Sequence, residues 1–447
     1  MSLMKNRLFR MLAVLMPAIA ILLAIAGIQR YGSFSGLWRR PNAEVVADLP
    51  HLGLTPTLLP TVTVWPTRVE VLSPTATVGS SRRTVEPPPT ATRTQPTARP
   101  ARGPTSTSSP SATPTPARLP PTPVPPPTAL PTAIRLTGLT HAWQTWNNCG
   151  PATLAMNLSY FGRRTTQAGI AATLRPFKDD KNVSPEELAA YARSEGLRAL
   201  ARVNGSPQML RQLLAAGVPV LIETWYEPKP NDGMGHYRLL TGFDDAAQEW
   251  IAYDSYDARG LKQDQPYAGI RLPYDEVAST WPVFNRAYLL IYDETRAAAV
   301  ERIAGDDLND ATMWSRALTA TEAAIKQKPG DSFAWFDLGT DLAALERFNE
   351  AARAYDRSRQ LGLPWRMLWY QFGPFRAYYE TGQYEEVIAL ADATLRTAQH
   401  VEELFFWRGL AQKAKGDLPG ARSSWERALE LNPNYADARS ALAALTP

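Results

Sequence analysis

Gln144-Thr-Trp-Asn-Asn-Cys149-Gly150-Pro151-Ala-Thr-Leu-Ala-Met156 holds the only cysteine of the 447-residue chain. A single thiol forms no internal disulfide, so its position needs another account. Pro151 suits the first turn of a helix, where its missing N–H would not be used, and Ala152, Leu154, Ala155, Met156, Leu158 and Phe161 then recur at helical spacing. Cys149 therefore falls at a helix N-terminus. There the unpaired N–H groups and the positive end of the helix dipole favour the thiolate, which is the nucleophilic form. Gln144, on the incoming loop, can aim its amide N–H at an oxyanion formed by attack of that sulfur. For the cysteine taken alone, the plainer alternative is a buried structural residue.

Downstream, Val183-Ser184-Pro185 opens a helix that Gly196 stops, with Ser184 as its cap, and a second helix runs from Ser206-Pro207 to Gly217. The period then changes. Val218–Trp225, His236–Phe243 and Glu249–Tyr256 read as strands, with Asp244-Asp245 opening the turn between the last two. Helices first and strands after, joined by short turns, imply an α+β domain with an antiparallel sheet. Of the four histidines, His51, His141, His236 and His400, only His236 begins a strand, after Gly233-Met-Gly235. Asp254 lies on the next strand, within pairing distance. A cysteine at a helix start facing a histidine on a sheet, with a carboxylate orienting the ring, is an arrangement for thiolate attack on an acyl carbon. Asp257 is the alternative orienting residue, and both aspartates can equally be turn residues. Pro228-Lys-Pro-Asn-Asp within 227–232 reads as an exposed flap over the site.

Gln144…Cys149-Gly150-Pro151…Gly162, Leu214-Ala-Ala-Gly217-Val-Pro219-Val, Gly235-His236-Tyr-Arg-Leu-Leu-Thr-Gly242-Phe-Asp244 and Tyr253-Asp254-Ser255 occur in that order. Together they resemble the papain-like cysteine peptidases related to the double-glycine leader peptidases of bacteriocin exporters. The resemblance covers residues 134–296. It implies Cys149 as nucleophile, His236 as general base and acid, Asp254 as orienting group and Gln144 as oxyanion donor. Two departures stand out. That family usually has Asp-Pro where this chain has Asp254-Ser255, and no multi-span region or phosphate-binding loop follows, so leader processing during export does not carry over. The sequence offers no His-Glu-x-x-His, second cysteine or calcium loop, and no metal or cofactor is expected.

The flanks have a different character. Met11–Ile28 is an uncharged apolar run behind Lys5, Arg7 and Arg10, long enough to cross a bilayer. Residues 1–30 are thus read as a transmembrane anchor, with a cleaved signal peptide as the alternative, since Ala24-Ile-Ala resembles a cleavage site. Residues 31–133 form a Pro/Thr-rich linker with too little apolar surface to offset chain entropy and with polyproline character. Charge is segregated as well: residues 1–133 carry 13 Lys/Arg against four Asp/Glu, and the rest 34 against 39. The basic pI belongs to the tail, and no basic, aromatic-interleaved face suggests nucleic acid.

Residues 298–447 repeat with a period of 35. Laid two periods apart, Gly339 falls on Gly409, Ala351 on Ala421, Tyr355 on Trp425 and Ser358 on Ala428. This resembles tetratricopeptide repeats, an all-α solenoid, with a weaker copy around Tyr378–Ala391, a degenerate first copy around Ala317, Ala324 and Pro329, and a capping helix from Tyr435 to Leu445. Trp335, Trp365, Trp369, Phe405, Phe406 and Trp407 are expected in its core, and some of Arg376, Tyr378 and Tyr379 on the concave face. The combined expectation is a single-pass, membrane-anchored extracytoplasmic cysteine peptidase, or a secreted one if the signal is cleaved. Its repeat domain would recruit a protein partner or peptide substrate, and its acyl-enzyme would end in hydrolysis or in transfer to an amine. The rival expectations are a non-catalytic protein-binding module on a peptidase fold and a cell-surface scaffold.

Overall fold

Tyr237-Arg-Leu-Leu-Thr-Gly-Phe243 alternates between two faces, as a strand covered on both sides requires. It forms the middle of the longest strand, β4 (Met234–Asp244), which starts two residues before His236. The computed structural model describes residues 130–229, 232–261 and 266–445. The expected anchor, and the expected linker up to residue 129, lie outside these residues, as do two positions of the expected flap.

The sheet contains β1 (Ala133–Arg135), β2 (Arg198–Arg202), β3 (Val220–Tyr226), β4, β5 (Glu249–Tyr253), β6 (Ile270–Pro273) and β7 (Tyr288–Tyr292), in the order β2-β7-β3-β4-β5-β6, with β1 added on β4. Each of these pairings is antiparallel. Its helices are α1 (Cys149–Tyr160), α2 (Gln167–Leu174), α3 (Pro185–Ser194), α4 (Pro207–Ala215), α5 (Tyr274–Thr280) and α6 (Ala297–Ala304). Leu221, Leu239, Leu289 and Ile291 pack on Leu154, Met156 and Leu188 of α1 and α3. The alternate residues Ile222, Leu240 and Leu290 pack on Leu210, Leu213 and Leu214 of α4 and Val300 of α6. The sheet is thus buried on both faces, and the domain is mixed α/β. The register of β4 on β5 shifts between Leu240 and Gly242. At Gly242 a Cβ would stand 2.2 Å from the Ile134 carbonyl oxygen, so glycine lets β1 approach.

The expected helices appear with the expected signals. Ser184 caps α3 in a capping box with Glu187, and Pro185 opens the helix. The expected third strand stops at Tyr253, which puts Asp254, Ser255 and Tyr256 in the following turn. Strands β2 and β7 were not anticipated. Arg-Ala-Leu-Ala-Arg has little strand propensity and is held by pairing with β7, while Tyr-Leu-Leu-Ile-Tyr is an uninterrupted apolar run because both its faces are buried.

The array follows as α7 (Asp310–Gln327), α8 (Ser332–Ala344), α9 (Phe348–Gln360), α10 (Gly373–Glu380), α11 (Tyr384–Leu395), α12 (Glu402–Ala414), α13 (Leu418–Leu431) and α14 (Ala436–Ala443). The residues that coincide two periods apart do the same work. A Cβ on Gly339 would fall 2.6 Å from the Tyr355 ring, and one on Gly409 would fall 2.5 Å from the Trp425 indole nitrogen. In each pair a glycine on the first helix makes room for the aromatic of the second; a methyl there would overpack by about 1–3 kcal/mol. Two side chains depart from expectation. Trp365 is exposed, edge-on to Trp369 at 4.9 Å. Tyr378 is fully buried and donates to Asp356, so it belongs to the core and not to a concave surface. Among the described residues no helix is long and apolar enough to cross a membrane.

The array is tied to the sheet domain at both ends. Arg202 of β2 donates to Asp310 at 2.7 Å, and the Asn285 amide donates to Asp341 of α8 at 2.6 Å. At the far end Asn432 and Asn434 donate to the Leu174 and Thr173 carbonyls, and Asn182 donates to Glu403.

Candidate active site

The chain enters α1 through a tight turn. Asn147 is left-handed (φ 55°), and the Asn148 N–H bonds the Thr145 carbonyl. Asn148 does not cap the helix with its side chain. Its amide donates to Thr145 Oγ1 at 2.7 Å and its oxygen accepts from Arg175. Arg175 is itself buried and also reaches the Trp146, Lys178 and Asp180 carbonyls, so one guanidinium fixes the whole approach to the nucleophile. Cys149 is left half-buried at the helix start.

His236 sits on β4 with its ring nearly inaccessible. Its Nε2 pairs with Asp254 Oδ1 at 2.9 Å, which leaves Nδ1 for the Cys149 thiol, and the two side chains share a hydrogen bond. Burial works against a charged ring, but the Asp254 carboxylate and then Cys149 overcome it and raise His236 to about 9. Burial likewise would raise the thiol. The hydrogen bond and charge of His236, with the N–H groups of Tyr237 and Gly150, outweigh it and hold Cys149 below the ordinary thiol range. Both directions favour a thiolate–imidazolium pair.

Asp254 is fully buried, and burial alone would raise it. Its Oδ1 accepts from His236 and from the Tyr256 and Asp257 amides at 2.8 Å each, and its Oδ2 accepts from Arg238 Nε at 3.1 Å. His236 first and Arg238 next hold it well below the usual carboxylate range. Asp257 stands differently: its carboxylate pairs with Arg259 at 2.6 Å and approaches Arg238 at 3.7 Å, away from the imidazole. Between the two aspartates left open by the sequence, the geometry puts Asp254 on the histidine. His141, one of the four histidines, bonds the Asp254 carbonyl at 2.8 Å and stacks on Tyr267, so it supports the turn and not the thiol.

Gln144 is held by Ser255. The Gln144 N–H donates to the Ser255 carbonyl at 2.8 Å, and the Ser255 hydroxyl donates to Gln144 Oε1 at 2.9 Å. With its oxygen occupied, the amide presents its N–H₂ as a donor. Ser255 is the residue at which this chain departs from the Asp-Pro pattern, and a proline there could make no such side-chain bond. Arg175, Arg238 and Ser255 were all missed from sequence. Only the Asp-Ser departure carried a signal. Among the described residues, no group of three or more His, Cys, Asp and Glu side chains converges as a metal site.

Residues 137–288 match the model of the Peptidase_C39 like family, and residues 402–435 match the tetratricopeptide repeat. Solved structures that match part of this chain include a putative C39-like peptidase from Bacillus anthracis, 16% identical, covering 36% of this chain and 98% of its own, with a TM-score of 0.29. A double glycine motif protease from an AMS/PCAT transporter, solved with its leader peptide, is 18% identical over 36% of this chain and 94% of its own, with a TM-score of 0.26. MamA 41-end from Desulfovibrio magneticus RS-1 is 17% identical over 33% and 82%, with a TM-score of 0.29. No curated protein matches the chain. The resemblance to C39-type peptidases followed by tetratricopeptide repeats is borne out by the two family matches.

Proposed function

We propose that this C39-like domain is an active thiol peptidase, with Cys149 as nucleophile, His236 as general base and acid, Asp254 as orienting group and Gln144 as oxyanion donor. The observation that carries the reading is the continuous line Cys149–His236–Asp254, closed behind by Arg238. The thiolate sulfur attacks the scissile carbonyl carbon, and the carbonyl oxygen takes the negative charge opposite the Gln144 amide. As the C–N bond breaks, the imidazolium gives its proton to the leaving amine, which leaves a thioester on Cys149. Water then gives a proton to His236 and attacks the thioester, and the sulfur departs as thiolate. An amine in place of water gives transfer through the same first half-reaction.

On this reading the repeats are a protein-binding scaffold that brings a substrate or partner to the site. Residues 1–30 anchor the chain and 31–133 hold the folded unit clear of an outer membrane face, a part of the proposal that rests on sequence alone.

Cleavage of unstructured peptides by the full chain, followed against pH, tests the reading. The rate is expected to rise as Cys149 ionises, below the ordinary thiol range, and to fall as His236 loses its proton near 9. Cleavage that survives Cys149→Ala sinks the proposal. Ser255→Ala frees the Gln144 amide to rotate. It is expected to lower kcat by about tenfold, part of the 10²–10³ typical of losing one oxyanion donor, with KM nearly unchanged. A loss confined to KM would show that Ser255 only shapes the binding surface.

A further inference from the structure

Beyond α9 the array does not go straight into the next helix. Pro364 opens a short 3-10 turn, Trp365–Trp369, and Tyr370 follows before α10. This insertion lies against the peptidase-like domain at two places that flank the candidate nucleophile and base. On the Cys149 side, Lys181 holds its ammonium over the Trp146 ring at 5.0 Å and over the Trp369 ring at 5.7 Å. Trp146 stands three residues before Cys149 and is fixed by its indole N–H to Asp179 at 3.1 Å. The lysine therefore clasps an aromatic from each domain.

On the His236 side the contact is made by Arg366 and Tyr370. Arg366 is buried, pairs with Asp232 at 2.5 Å and donates to the Gly233 carbonyl at 3.3 Å. Its guanidinium is itself stacked near Trp365 and Trp369, 5.0 and 5.5 Å from the ring centres. Tyr370 covers Gly235, the residue before His236; a Cβ on that glycine would meet the Tyr370 ring at 3.3 Å and Phe284 at 3.2 Å. Burial and the nearby Cys149 charge push the Tyr370 hydroxyl up, as expected for a phenol enclosed beside a thiolate. No periodicity of the repeats calls for these residues. Trp365 is exposed, Trp369 is only partly buried at the edge of the core, and Arg366 is oriented out of the array into the neighbouring domain.

We infer that residues 366–370 are a bridge from the repeat array across the Cys149–His236 cleft, and that this bridge selects for flexible polypeptide, a loose segment or a chain end, over folded protein. The inference rests on the peptidase reading of the site. A segment fastened on both sides of the nucleophile and base would admit an extended chain more readily than a surface loop still attached to its own domain. The polar part of each fastening is one cation, Lys181 between two indoles and Arg366 between an aspartate and a carbonyl, while Met367 and Leu368 are buried in the core between.

The chain's single cysteine makes the test direct, since every thiol modification reports on Cys149. The full chain is treated in parallel with iodoacetamide and with a maleimide carrying a bulky polymer, and the ratio of the two rates is compared among wild type, Trp369→Ala and Asp232→Asn. Trp369 and Asp232 are both partly exposed, and the melting temperature of each variant is measured beside the rates, so that a loss of fold is told apart from an opened bridge. The bulky-to-small ratio is expected to rise by about fivefold or more in each variant, the scale of losing one cation–π contact or one ion pair. A smaller rise in both variants overturns the bridge. Iodoacetamide reactivity of the wild type below neutral pH reports separately on the Cys149–His236 pair, so its absence would end the peptidase reading and leave the ratio interpretable.

Discussion

Replacing His236 by alanine is expected to lower the rate at which iodoacetamide alkylates Cys149 near pH ~6 by about 100-fold. An ordinary thiol with a pKa of about 8.5 is only about 0.3% thiolate at that pH. Cys149 is held lower than this by the imidazolium more than by anything else, against a burial that by itself would disfavour the anion. Without the ring, burial acts unopposed except by the Tyr237 and Gly150 N–H groups. The sign follows from the shifts: His236 is raised and Cys149 lowered, so the pair exists between the two values and is lost on acidification through the lower one. In wild type the alkylation rate should therefore stay high well below neutrality, and in the variant it should climb only towards alkaline pH. Rates near pH ~6 that agree within about threefold would show that the thiol is not activated by this histidine.

The second large effect is expected at Arg238. Its side chain is 1% exposed and faces three carboxylates, Asp254 at 3.1 Å, Glu276 at 3.0 Å and Asp257 at 3.7 Å. Arg259 shares the outer two, so removing Arg238 leaves Asp254 as the member with the greatest deficit. Breaking a buried pair from one side costs about 3–5 kcal/mol, because the stranded charge keeps its desolvation penalty. Arg238→Met should lower the melting temperature by on the order of 10 °C. Arg238→Lys should recover only part of this, since an ammonium cannot present the guanidinium's separate donors to Asp254 and Glu276 at once. The pH dependence supplies a second readout. A carboxylate depressed in the fold stabilises it above the unfolded-state pKa, and that stability is lost as pH falls through the folded value. With Arg238 gone the folded value of Asp254 rises, so acid unfolding should begin at higher pH than in wild type. Acid midpoints and melting temperatures equal to wild type would mean that Asp254 relies on His236 and its backbone donors alone.

What could be read from sequence follows a physical division. Cys149 and His236 were nameable because each is rare and sits at a punctuated place, a proline-started helix and a glycine-preceded strand. The glycine–aromatic pairs of the array were nameable because a fixed period repeats the same contact. Arg175, Arg238 and Ser255 were not, since arginine and serine are ordinary surface residues and only a fold brings Arg175 to Asn148 across 27 positions, or Ser255 to Gln144 across 111. Strand β2 was hidden for a related reason: its Ala and Arg residues have no strand preference of their own and take the conformation from Tyr288–Tyr292 beside them. Trp365 shows the reverse error. Aromatic identity suggested core, whereas the residue belongs to an insertion that interrupts the repeat.

A free solenoid melts by fraying, because a terminal repeat has one neighbour and loses only one interface when it unravels. Here both ends are tied, the second just ahead of α14. The first helix leans on β2 through Arg202–Asp310, and the last turn before α14 is stitched to α2 by Asn432 and Asn434. Only α14 lies beyond these ties, so apart from it the array and the sheet should share a single cooperative transition.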